Sequence, residues 1–135
     1  MGQQQLLLIV LGVIIVGVAV VVGINLFNAN AETSTQDSIV SQGTNLGAMA
    51  QQYYKKPVAM GGGGNTWTNG PNGNDFGDYF LGLPQNLTGS TDADWTVTTL
   101  TDSMVVLTGD ATKAGYTAWH VETTITPTTI ASEVK

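Results

Sequence analysis

Residues 6 to 24 read LLLIVLGVIIVGVAVVVGI, 19 consecutive residues without one polar side chain. As a helix rising about 1.5 Å per residue, the run spans about 28 Å, close to the roughly 30 Å hydrocarbon core of a bilayer. That length and composition predict a transmembrane helix. A secretory signal peptide would need a basic flank, a shorter apolar run and a small-residue cleavage site. The first basic residue here is Lys55.

The rest of the chain is organised around this segment. Residues 1 to 27 hold 19 of the 57 apolar residues, and the remaining 108 hold 38, about 35%. Such a fraction is thin for a self-sufficient core and calls for a second apolar surface to pack on. Charge is segregated too: no Asp, Glu, Lys or Arg occurs in residues 1 to 31. A membrane helix is normally oriented by Lys/Arg on its cytoplasmic side, and neither flank supplies them. The expectation is that a basic N-terminal leader has been removed and that the chain is a processed form. Four lysines, no arginine and ten acids give a net charge of −6. Direct nucleic-acid binding by the single subunit is not expected, because counterion release needs clustered cations. With zero cysteines, disulfides, thiolate zinc sites and cysteine nucleophiles are excluded together.

From Asn25 the pattern turns amphipathic, with no proline until Pro57. Ile39, Gly43, Leu46, Ala50 and Tyr53 recur at helical spacing on one face. A single helix over residues 1–54, about 78 Å from Gln3 to Tyr54, is predicted, and its second half must stand outside the bilayer. Residues 55–135 form the head. Within it, 57–92 is a connection punctuated by Pro57, Gly61 to Gly64, Asn69 to Gly73 and Pro84, and pinned by Phe76, Tyr79, Phe80, Leu81 and Leu83. Trp95 to Leu100, Ser103 to Thr108 and Tyr116 to Thr126 read as a three-stranded antiparallel sheet over 95–126, with 127–135 as a tail. Trp119, Val121, Thr123 and Ile125 share one strand face, and laying it on the Ile39 to Tyr53 stripe would bury both. The predicted class is α+β: a long N-terminal helix packed on a small antiparallel head, with Ile39, Leu46, Ala50, Tyr53, Trp119 and Val121 as the packing residues.

The run Met1-Gly2-Gln3-Gln4-Gln5-Leu6 leading into the apolar segment, followed by an amphipathic helix and a small sheet, resembles a mature type IV pilin or pilin-like filament subunit. The resemblance implies a prepilin peptidase that removes a basic leader, N-methylation of Met1, and a pilus assembly platform as partner. It assigns assembly to Gln5, Leu6, Leu7, Leu8, Ile9 and Val10, with Gly12, Gly17 and Gly23 as points where the helix stretches or packs closely. Two positions depart from the family. Gln5 stands where a glutamate usually pairs with a neighbour's N-terminal amine, and an amide accepts a hydrogen bond without neutralising the charge. Val22 stands where the family often has proline.

Candidate chemistry is sparse, and the expectation is that the protein is not an enzyme and holds no cofactor or metal. His120 is the one histidine; Glu122 shares its strand face, but no nucleophile accompanies them, so a polar sheet surface is preferred. Gly61 to Gly64 lacks the Lys and Ser/Thr of a phosphate loop. Asp75 with Asp78, and Asp92 with Asp94, lack the full alternating pattern of a calcium loop and read as solvated turn residues. Asn86-Leu87-Thr88 is a glycosylation sequon, which makes Asn86 a candidate site for a surface glycan, though an isolated sequon is common by chance. The tryptophans and tyrosines read as packing.

The expected function is a homopolymer of identical subunits: an extracellular type IV pilus-like filament on the cell surface, each subunit held in the cytoplasmic membrane before assembly. The alternatives are a pseudopilin of a secretion system and a monomeric membrane-anchored binding domain.

Overall fold

A computed structural model describes residues 2–135. Helix α1 spans Gly2–Lys55. Two short helices follow, α2 over Phe76–Leu81 and α3 over Gln85–Thr88. Four strands complete the chain: β1 Asp94–Leu100, β2 Val105–Asp110, β3 His120–Ile125 and β4 Ile130–Val134. Contacts divide the chain into two compact units, one up to Ser34 and one of Thr35–Lys135. The fold is α+β, with a long apolar N-terminal helix and a small antiparallel sheet.

In the second unit, α1 buries Ile39, Gly43, Leu46, Gly47, Ala50 and Tyr53. Gly43 and Gly47 let the helix backbone come close to the sheet. A Cβ on Gly43 would run into Thr123 Oγ1 and lie 2.6 Å from the Trp95 ring; one on Gly47 would lie 2.8 Å from Ile130 Cγ2. Side chains at the helix shoulder fasten the same approach. Ser38 donates to Asp92 at 3.0 Å, Ser90 donates to Gln42 at 2.9 Å, and Gln51 donates to the Thr126 carbonyl at 3.0 Å.

The strands run as an antiparallel meander in the order β1-β2-β3-β4. On β3, Val121, Thr123 and Ile125 are buried and alternate with half-buried His120, Glu122 and Thr124, so one face meets the core. Trp119, just before the strand, is buried as well. A bulge at Val97/Thr99 interrupts the β1–β2 register, which otherwise pairs Trp95 with Gly109 and Leu100 with Val105.

The strand expectations need correction. The sheet has four strands, not three: the segment read as a tail, 127–135, turns back after Ile125 and pairs as β4, with Ile125 opposite Ile130 and Val121 opposite Val134. The hairpin is closed by Thr126 and Thr129, which exchange backbone and hydroxyl hydrogen bonds across Pro127 and Thr128. Ser132 meets Thr123 through their hydroxyls at 2.9 Å, so a polar residue takes an inward position and blurs the alternation that marks a strand. Strand β3 also begins later than Tyr116. There Gly115, at φ 91°, ends a turn, and the Tyr116 and Trp119 rings stack with centroids 5.3 Å apart before pairing starts.

The 57–92 connection is packed, but not by every residue expected to pin it. Asp75 caps α2 by accepting from the Asp78 N–H at 3.1 Å. One turn apart, Phe76 and Phe80 enter the core, where Phe76 meets Tyr53 and Trp67 edge to face at 5.4 and 5.5 Å. Leu81 turns away from that core-facing side of the six-residue helix and is 83% exposed. The Tyr53 hydroxyl is buried without a hydrogen-bond partner among the described residues.

Two outcomes follow for stability. Gly43→Ala is expected to lower it by about 1–3 kcal/mol through overpacking, although alanine is the better helix former; thermal unfolding of the full chain in detergent reads this directly. Tyr53→Phe keeps the ring contacts and removes only the unpartnered hydroxyl, so at neutral pH its melting temperature should match or exceed that of the parent, whereas Tyr53→Ala should cost about 3–5 kcal/mol.

Candidate functional site

Residues 6 to 24 of the first unit present a surface that is apolar throughout. Leu6, Leu7, Leu8, Ile9 and Val10 are each 48–69% exposed, and the exposed apolar series runs on through Ile24, Leu26 and Phe27. Helices that are apolar all round belong in a membrane or in the interior of an assembly. This one is long and apolar enough to cross a bilayer, and none of its apolar window is buried within the chain. Gly12, Gly17 and Gly23 have open space where a Cβ would stand, so a partner's backbone can approach the helix closely at three levels. Gln5 is exposed on the helix, and Gln3, Leu6, Leu7 and Val10 line a shallow groove beside it. Met1 lies outside the described residues.

The other candidate residues occupy structural positions. Glu122 forms an ion pair with Lys135, and the His120 and Lys135 backbones exchange two hydrogen bonds at 2.8 Å. The side-chain hydrogen bond from Lys135 to Glu122, and then the carboxylate's charge, hold the Lys135 ammonium above the usual lysine range. Asp94 pairs with Lys113 at 2.6 Å, and Asp92 accepts from Ser38. The Gly61 to Gly64 run closes against the end of α1: Gly63 N–H donates to Tyr53 O at 2.8 Å and Gly64 N–H to Lys56 O at 2.9 Å. A Cβ on Gly62 would strike the Lys56 carbonyl, so close backbone packing accounts for glycine there. Asn86 is exposed on α3, where a glycan would meet solvent. Among the described residues no group of three or more His, Cys, Asp or Glu is placed to hold a metal ion.

Ile39, Leu46, Ala50, Tyr53, Trp119 and Val121 are all buried in the head. Gly47 belongs with them and went unrecognised in the sequence, although its place four residues after Gly43 was the available signal. No family model matches the chain, and no curated protein or solved structure matches it.

Burial, followed by the nearby Asp75 and Asp78 carboxylates, raises the Tyr53 hydroxyl above the ordinary tyrosine value. A group that holds its proton more tightly when folded leaves stability intact below its unfolded value of about 10 and lowers it as pH climbs past that point. Melting temperatures measured between pH 8 and 11 should therefore fall above about pH 10, and Tyr53→Phe should fall less steeply.

Proposed function

We propose that this protein is a structural subunit that polymerises through its N-terminal helix into an extracellular type IV pilus-like filament, after residence in the cytoplasmic membrane. The observation that carries the reading is the fully exposed, uncharged, all-round apolar surface of residues 6–24, at the start of a helix whose later turns pack the head. A monomeric anchor needs only the first of these features.

The mechanism is an exchange of apolar surroundings. Moving such a helix from lipid into water would cost about 0.8 kcal/mol for each exposed CH₂, a prohibitive sum over 19 apolar residues. Moving it from lipid to a bundle of identical helices keeps the same surface dry. A head-to-tail operation that does not close generates a helical fibre, with the apolar helices inside and Thr- and Asn-rich heads outside. At Gln5 a neutral amide solvates a neighbour's amine by hydrogen bonding alone, so axial register in this polymer depends more on apolar packing than on an ion pair.

Negative-stain imaging of sheared cell-surface material tests the proposal. Thin homopolymers of this chain are expected, with N-terminal mass showing whether the subunit begins at a methylated Met1. Val16→Lys, which places a charge at mid-helix at a cost of about 2.5–3.5 kcal/mol in a bilayer, should abolish filaments while leaving the head folded. Only detergent-soluble monomers from the parent chain would overturn the reading.

A further inference from the structure

Outside α1, the most exposed large apolar side chains of the head gather at two places. Val58 and Met60 stand on the 3-10 turn after α1, Met60 being 67% exposed, and Lys55 and Lys56 lie just before it. Leu81 lines a groove of about 440 Å³ between α2 and β1, together with Phe80, Val97 and Leu100. Asp75 and Asp78 line the same groove.

The ionic partners are divided in the same way. Two of the four lysines are satisfied within the chain, Lys113 by Asp94 and Lys135 by Glu122. Among the described residues Lys55, Lys56, Asp75 and Asp78 form no ion pair, so two cations without an ionic partner flank the apolar turn and two carboxylates without one, Asp75 serving also as the α2 cap, flank the apolar groove. Neither apolar element is covered within its own chain, since Met60 and Leu81 both stay exposed.

We propose that the Val58–Met60 turn of one copy docks in the groove between α2 and β1 of the next copy, with Lys55 and Lys56 facing Asp75 and Asp78. The inference rests on the filament reading and names the head contact of that polymer. A second copy is the favoured occupant because both halves of the complementarity, apolar and ionic, are carried by this one chain. Because turn and groove are different patches, each copy offers its turn to one neighbour and its groove to another in a helical polymer, where the operation does not close. Burial of Met60 and Leu81 supplies most of its affinity, while the charge pairs at the margin set orientation and steer encounter.

The absence of native cysteine makes the test direct. Full-length chains carrying Met60→Cys and Leu81→Cys separately are co-expressed, and surface and membrane fractions are treated with a short bismaleimide. A mixed dimer joined through positions 60 and 81 is expected, with at least tenfold less dimer from either variant alone. Adding Lys55→Glu and Lys56→Glu to the first chain should lower the mixed dimer at least tenfold at low salt, and Asp78→Lys in the second chain should restore part of it. Filaments without the mixed dimer, equal yields from one variant alone, or indifference to charge reversal would each overturn the contact. A mixed dimer in membrane extracts that never yield filaments would uphold the contact and sink the filament reading.

Discussion

The head depends on one close approach. At Gly43 and Gly47 the α1 backbone comes near enough to Trp95, Thr123 and Ile130 that a methyl group would not fit at either glycine. A four-stranded meander with one apolar face has to bury that face against another layer. The helix covers that face, and the sheet covers the helix stripe in return. The aromatic cluster of Tyr53, Trp67 and Phe76 extends the seal past the end of the helix into the irregular connection. The thin apolar content of residues 28 to 135 suffices because one helix serves the head as a core layer.

How much was legible in the sequence depended on the length of each signal. The apolar run at 6–24 and the 3.6-residue stripe from Ile39 to Tyr53 are long and periodic, and the helix followed from them. The inward face of β3 followed from period-2 alternation. Short signals failed. Five-residue β4 carries Ser132 at an inward position, where a hydroxyl pair with Thr123 replaces an apolar contact that sequence pattern could have registered. Leu81 looks like an anchor beside Phe80, yet in a helix of six residues only Phe76 and Phe80 can face the core, and adjacent positions point about 100° apart.

The apolar residues at the start of α1 are legible in a different sense. Composition alone marks Leu6 to Val10 as needing dry surroundings, and the exposed helix leaves that need unmet within one chain. What sequence pattern does not provide is the pairing of exposed patches on the head. Met60 and Leu81 carry no periodic signal that marks them as uncovered, because single exposed apolar residues are common. They acquire meaning only when burial shows which remain uncovered and the ion pairs show which charges are already spent.

The helix shoulder also sets how the head comes together in time. Ser38 reaches Asp92 across 54 residues of sequence, and Gln51 reaches Thr126 across 75. Contacts of such separation require long loops to close before they return any energy, which slows their formation relative to local pairing. During that interval the Ile39 to Tyr53 stripe has no cover. A chain caught before the sheet is complete therefore exposes an apolar stripe that another chain can capture.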